Sequence, residues 1–255
     1  VIKHKIYFIY VLHHNKWGEM RILISPKNLE EAIEAQEGGA DIIDVKNPAE
    51  GSLGANFPWI ISEVKEAVVK GSTELSATIG DFDYKPGTAS LAALGAAVAG
   101  ADYVKVGLYG IRSYEEGLNL LEGVVKAVKD YDSRKKVVGA CYSDYARISS
   151  LHPFKLPQIG KEAGVDVVMV DTGIKDGKST FEFMSQDQIK IFINLARENG
   201  LEVAIAGAIS WEHLPILKEL QPDIVGVRSI VCEKGRDSKI RREKVARLIK
   251  ELRQG

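Results

Sequence analysis

Lys46, Lys105 and Asp171 are the residues of this chain whose types and placing could carry covalent chemistry. A lysine amine attacks a carbonyl carbon only when unprotonated, and its ordinary pKa is about 10.4. A second ammonium nearby and poor hydration both favour the neutral amine. Two lysines held in one poorly hydrated place are what imine chemistry needs, one as nucleophile and one as proton shuttle. A carboxylate such as Asp171 could orient a lysine or move protons in aldol and dehydration steps. Lys175 follows on the next loop, where it could bind a phosphate, join the proton relay or stand solvated. Asp44, two residues before Lys46, is placed to hold the charge of that lysine.

A recurring strand pattern brings these groups together. The segments 39–46 (GADIIDVK), 100–107 (GADYVKVG), 164–171 (GVDVVMVD) and 222–228 (PDIVGVR) each open on an aspartate. Side chains on a strand alternate faces. Counted from each leading Asp, the even offsets give Ile43/Val45, Val104/Val106, Val168/Val170 and Val225/Val227. The odd offsets collect Asp44, Lys46, Lys105, Asp171 and Arg228. One face of each strand is greasy, while the other carries charge to a shared place. Buried ions are costly unless paired, so such a cluster reads as an active site. The plainer alternative is structural pairing of Lys46 with Asp44, or of Lys105 with Asp171.

The elements that position these residues alternate without a break from Met20. Strands are predicted over 21–25, 42–45, 74–78, 103–106, 136–141, 167–170, 202–206 and 224–227. Helices are predicted over 29–37, 58–69, 90–99, 114–129, 157–163, 186–199, 211–219 and 240–253, with glycines where C-caps belong. Eight such units favour a single closed (β/α)8 TIM barrel over 20–255, with its active site at the C-terminal ends of the strands, ahead of an open doubly wound sheet. Interior layers of a barrel come from alternate strands, which matches the four Asp-led strands being every second one. Asp41, Asp102, Asp166 and Asp223 then lie at the bottom and belong to turn geometry.

Loops after the seventh and eighth strands form the usual phosphate site of this fold. They hold Gly207 and Ala208 in one and Arg228 and Ser229 in the other. The alternative there is a tight turn beside a surface Arg. The loop after the second strand, with Asn47 and Ser52, reads as a cradle for a second anion or as a plain lid. The stretch 142–145 (YSDY) is placed to line the pocket without an assigned task.

The net charge of −1 argues against a non-specific nucleic-acid binder. Cys141 and Cys232 are too few and too far apart for a disulfide framework or zinc motif, and Cys141 reads as a core thiol. The five histidines are scattered, and neither a metal nor a nucleotide-cofactor pattern occurs. No stretch reaches the roughly 20 apolar residues of a membrane span, so a cytoplasmic protein is expected. Residues 1–19 look foreign to the rest and read as a dispensable extension ahead of a start at Met20. Self-association is left open.

The runs Ser25-Pro26, 39–48 (GADIIDVKNP), 50–59 (EGSLGANFPW), 103–107 (YVKVG) and 170–172 (VDT) together resemble the (5-formylfuran-3-yl)methyl phosphate synthase family, also called 4-(hydroxymethyl)-2-furancarboxaldehyde phosphate synthase. The resemblance runs from Met20 to near the C-terminus. It implies condensation of two glyceraldehyde 3-phosphate molecules with loss of phosphate and water, a carbon–oxygen lyase step of archaeal methanofuran biosynthesis. It also implies a Schiff base at Lys46, general acid/base work at Lys105, and participation of Asp171 and Lys175. Without it, the residues alone reach an imine-forming lyase on phosphorylated carbonyl compounds. Competing readings are a class I aldolase-like, isomerase or epimerase barrel on another phosphosugar, and a regulatory barrel that only binds such a ligand.

Overall fold

The computed structural model describes residues 19–68 and 73–253. The extension expected over 1–19 lies outside these residues, apart from Glu19. Eight parallel strands close into a barrel in chain order: β1 (Arg21–Ile24), β2 (Ile42–Val45), β3 (Glu74–Asp81), β4 (Tyr103–Gly107), β5 (Lys136–Tyr142), β6 (Val167–Asp171), β7 (Glu202–Ile205) and β8 (Ile224–Val227). Closure is made by β1, which pairs with β2 on one side and β8 on the other. Helices α1 (Leu29–Glu37), α2 (Pro58–Val68), α3 (Pro86–Val98), α4 (Tyr114–Tyr131), α5 (Leu156–Ala163), α6 (Thr180–Phe183), α7 (Gln186–Glu198), α8 (Leu214–Leu220) and α9 (Arg242–Arg253) surround it. Their starts follow local chemistry. Asn28 accepts the Glu31 N–H ahead of α1, and Ser113 with Glu116 forms a capping box ahead of α4.

All eight β-branched residues at even offsets are buried in the layer between sheet and helices. Each such side chain contributes roughly 1.5–3 kcal/mol on burial. The odd offsets point into the barrel in tiers. Ile42, Tyr103, Val167 and Ile224 form the lowest and pack in a separate inner cluster. Asp44, Lys105, Met169 and Gly226 follow. Lys46, Gly107, Asp171 and Arg228 stand nearest the mouth.

The four leading aspartates perform one repeated task at the bottom. Asp41, Asp102, Asp166 and Asp223 accept the backbone N–H of Ile22, Leu75, Val137 and Val203 at 2.7–2.8 Å. Each thereby satisfies a donor of the preceding strand that would otherwise go unpaired. Arg253, Lys65 and Lys129 pair with the first three from neighbouring helices. Below the apolar tier, Arg21, Glu74, Lys136 and Glu202 converge on the Tyr103 hydroxyl and on one another, closing the barrel floor.

Two boundaries differ from expectation, the first with a consequence for the site. β3 runs on to Asp81 because Gly80, at φ 121°, allows a register shift between Thr78 and Asp81 instead of ending the strand. α3 begins at Pro86, whose fixed φ suits the first helical turn.

Candidate active site

A cavity of about 260 Å³ opens at the C-terminal ends of the strands. Lys46, Lys105, Asp171, Lys175, Gly207, Ala208, Arg228 and Ser229 all line it. Of the groups expected there, Asp44 lies just beneath, whereas Asn47 and Ser52 are elsewhere.

Lys46 follows β2 and is 5% exposed. Its amine makes no hydrogen bond or ion pair among the described residues. Burial pushes it down from about 10.5 to about 7; Lys175 and Lys105 push the same way, against the pull of Asp171 and Asp44. The uncharged amine is therefore within reach near neutral pH, as a nucleophile toward a carbonyl requires.

Asp44 does not hold Lys46, contrary to the sequence reading. Its carboxylate accepts the Lys105 ammonium at 2.7 Å, with Ser76 and Ser25 hydroxyls at 2.7 and 3.0 Å. Asp44 and Lys105 share a tier, so their side chains meet across the barrel, whereas Lys46 stands one tier higher. Burial alone would raise the Asp44 carboxyl, but Lys105, Lys46 and these hydrogen bonds bring it below its ordinary value. The pair is fully buried, and the desolvation it costs delivers a lysine head-group to the cavity floor.

Asp171 ends β6 in the tier of Lys46. It accepts Lys175 Nζ at 2.6 Å and the Thr172 N–H at 2.7 Å. Burial works against its ionisation, yet Lys175, Lys46 and the two hydrogen bonds bring it down to about 2. Lys175 is itself lowered by burial, with Asp171 opposing. The turn carrying Lys175 is fixed by Asp144, which accepts the N–H groups of Gly173 and Ile174 at 2.6 and 3.0 Å. This gives the 142–145 stretch its task. Tyr142 donates to Asp81, filling the space above Gly107, where a Cβ would lie 2.2 Å from the Tyr142 hydroxyl. Asp81 in turn accepts the Leu53 N–H at 2.9 Å and holds down the loop after β2.

Ser52 and Asn47 serve that same loop and are not anion ligands in this arrangement. The Ser52 hydroxyl is buried and donates to the Thr172 carbonyl at 2.8 Å. The Asn47 side chain caps a short 3-10 turn through the Ala49 N–H and reaches Glu50. At the other side of the mouth, Gly207 and Ala208 both take positive φ, 98° and 46°. The backbone N–H groups of Gly207, Ala208 and Ser229 make no hydrogen bond among the described residues, so they can receive an anion. A Cβ at Gly207 would lie 2.3 Å from the Thr180 hydroxyl, so only glycine fits.

Arg228 lines the mouth, as the phosphate-site reading expects, but most of its donors are already engaged. It is not the surface residue of the alternative reading, being 5% exposed and engaged with Glu31 through both terminal nitrogens at 2.7 and 3.3 Å. Arg236, Lys178 and Asp237 also line the cavity from loops; they follow no strand periodicity, and the sequence reading missed them. Cys141 is buried, as expected. Among the described residues, no cluster of three or more His, Cys, Asp or Glu could hold a metal ion. No helix there is long and apolar enough to cross a membrane.

A family model described as 4-HFC-P synthase matches residues 22–249. The chain is similar to the (5-formylfuran-3-yl)methyl phosphate synthase of Archaeoglobus fulgidus, 64% identical over 230 residues covering 90% of this chain and 98% of that protein. The Methanocaldococcus jannaschii protein of the same name is 52% identical over 237 residues, covering 92% and 99%. Among solved structures, 3-hexulose-6-phosphate synthase from Salmonella typhimurium superposes with a TM-score of 0.63 at 20% identity, covering 91% of this chain and all of that one. KGPDC from Streptococcus mutans gives 0.64 at 14%, covering 93% and 99%. At such identities the structural likeness concerns the fold alone.

Proposed function

The chain belongs to the 4-HFC-P synthase family, and on that premise we propose that it joins two molecules of glyceraldehyde 3-phosphate into (5-formylfuran-3-yl)methyl phosphate through an imine on Lys46. The observation that carries the reading is the Lys46 amine: buried, unpaired among the described residues and pushed by burial down to about 7, between two lysine–carboxylate pairs. The pathway served would be that of methanofuran, in the cytoplasm.

The chemistry follows from the balance of atoms. Two triose phosphates become one furan aldehyde phosphate by losing one phosphate and two waters. The neutral Lys46 amine adds to a triose carbonyl, and the resulting hydroxyl leaves as water to give the imine. A protonated imine acidifies the adjacent C–H bond, so loss of that proton creates a carbon nucleophile for the second aldehyde. Elimination of one phosphate, closure of the ring through a hydroxyl and loss of two waters complete the furan; hydrolysis then returns Lys46 and takes back the water released when the imine formed. The order of joining, elimination and closure is part of the proposal, as is the choice of carbonyl.

Proton traffic divides between the two pairs. Asp171, ionised down to about pH 2, is too weak a base to carry protons at neutral pH. Its task is to orient Lys175, whose lowered pKa makes its ammonium the better acid. Lys105, held by Asp44, serves the lower side of the cavity. Backbone N–H groups at Gly207, Ala208 and Ser229 receive a substrate phosphate.

Incubation with glyceraldehyde 3-phosphate tests the overall reaction. A furan aldehyde chromophore with one phosphate released per two trioses is expected, and Lys46→Arg should abolish both. One phosphate per triose with no chromophore would mean simple elimination and would refute the proposal. Consumption of triose without phosphate release would favour the isomerase reading.

A further inference from the structure

The strongest unassigned group on the cavity wall is Arg236, on the loop between β8 and α9. That loop is built to hold it. A bridge between Cys232 and Ile240 closes the base, and Glu233 N–H donates to Lys239 O at 2.9 Å. Gly235 turns the chain at φ 117°, and Ser238 accepts the Lys234 N–H at 2.8 Å.

Arg228 secures the loop from below. Its Nε donates to the Arg236 carbonyl at 2.8 Å and its Nη1 to the Ser25 carbonyl at 2.7 Å, while Glu31 occupies Nη1 and Nη2. Four of the five N–H donors of the Arg228 guanidinium are thus committed to protein partners. Arg236, by contrast, makes no ion pair among the described residues. The remaining charges sharpen the contrast. Lys105 is neutralised by Asp44, Lys175 by Asp171 and Arg228 by Glu31. Besides Lys46, Arg236 and Lys178 are the lining cations without an ion pair among the described residues; the acids on the wall are Asp171, already paired with Lys175, and Asp237, and both attract Arg236 from beyond ion-pair distance. Lys178 is exposed, whereas Arg236 is partly buried, and a guanidinium suits bidentate binding of phosphate oxygens.

We propose that Arg236 is the side chain that binds a substrate phosphate in this cavity, together with the Gly207 and Ala208 N–H groups, and that Arg228 is a positioning residue acting through the Arg236 backbone. This rests on the phosphorylated-substrate reading above but not on the imine. The test uses the full chain, with Arg236→Ala, Arg236→Lys, Arg228→Lys and the double variant R228K/R236A. Inorganic phosphate is the first probe, read as the rise in melting temperature it produces. The second readout is the ratio of borohydride-trapping rates for glyceraldehyde 3-phosphate and unphosphorylated glyceraldehyde.

Arg236→Ala should weaken phosphate binding and lower that ratio by about tenfold to a hundredfold, as expected for charge-assisted hydrogen bonds. Arg236→Lys should show a smaller loss, and it carries the test should the alanine variant fail to fold. Arg228→Lys should also weaken phosphate binding but add nothing once Arg236 is Ala. Unchanged phosphate binding and an unchanged ratio in both Arg236 variants would overturn the proposal. So would a full, additive effect of Arg228→Lys in the double variant. Absence of any wild-type adduct, with phosphate binding still lost in Arg236→Ala, would sink the imine mechanism and leave the Arg236 site standing.

Discussion

Replacing Lys46 by Met should stabilise the fold, by an amount that depends on pH. The Lys46 amine titrates at about 7 in the folded protein and at about 10.4 in the unfolded chain. Below pH 7 both states are protonated, and the folded state bears the full cost of burying the charge. That cost is roughly 4–5 kcal/mol at 1.36 kcal/mol per pH unit, and it already contains the attraction of Asp171 and Asp44. Between pH 7 and 10.4 the unfolded state binds more protons, so stability rises with pH. The cost is about 2 kcal/mol at pH 9 and nearly absent above 10.4 by the same linkage. Lys46→Met keeps the volume and removes the charge. Its gain should therefore be largest near pH 6, less than half that at pH 9, and negligible near pH 10.5. Urea unfolding of both proteins at the three values measures it. A variant less stable than its parent at pH 6, or a gain that ignores pH, would refute the view that burial neutralises Lys46.

Asp44→Ala should cost about 3–5 kcal/mol, because it leaves the buried Lys105 ammonium without a partner; urea denaturation should also show the double replacement Asp44→Leu/Lys105→Met recovering most of that loss. Asp102→Ala should cost about 1–3 kcal/mol by stranding the Leu75 N–H, with kcat/KM for glyceraldehyde 3-phosphate retained, since that carboxylate is at the barrel floor. Gly207→Ala should weaken phosphate binding by at least about tenfold, because the added Cβ forces the backbone away from Thr180 and Thr172; a phosphate titration followed by melting temperature checks this.

The barrel was legible because its signals are periodic. The parity of 41–46, 102–107, 166–171 and 223–228 separates the greasy outer faces from an inner file of charges, and the eight units count themselves. Parity read one step further would also have found the right partner for Asp44. It shares an offset with Lys105, and equal offsets on alternate strands mean a common tier, whereas Lys46 and Asp171 share the tier above. What parity cannot reach are contacts made by loops and by residues outside the repeat. Glu31 looks like an ordinary acid in the first turn of α1, yet it claims Arg228. Gly80 looks like a strand end, yet it carries β3 on to Asp81 and so to Tyr142 and Leu53. Ser52 and Asn47 have the composition of an anion cradle, but their polar atoms are spent within the protein. Arg236 stands in a loop whose shape is fixed by a hairpin and by Arg228, and no spacing in the sequence announces it.

The central claim is that Lys46 is the amine that forms the imine. Borohydride reduction in the presence of glyceraldehyde 3-phosphate, followed by peptide mass mapping, tests it directly. The expected result is a single triose-phosphate adduct on the peptide containing Lys46, formed at a rate that climbs to a plateau above about pH 7. An adduct on Lys105 or Lys175 in its place, or none while the furan product accumulates, would contradict the account.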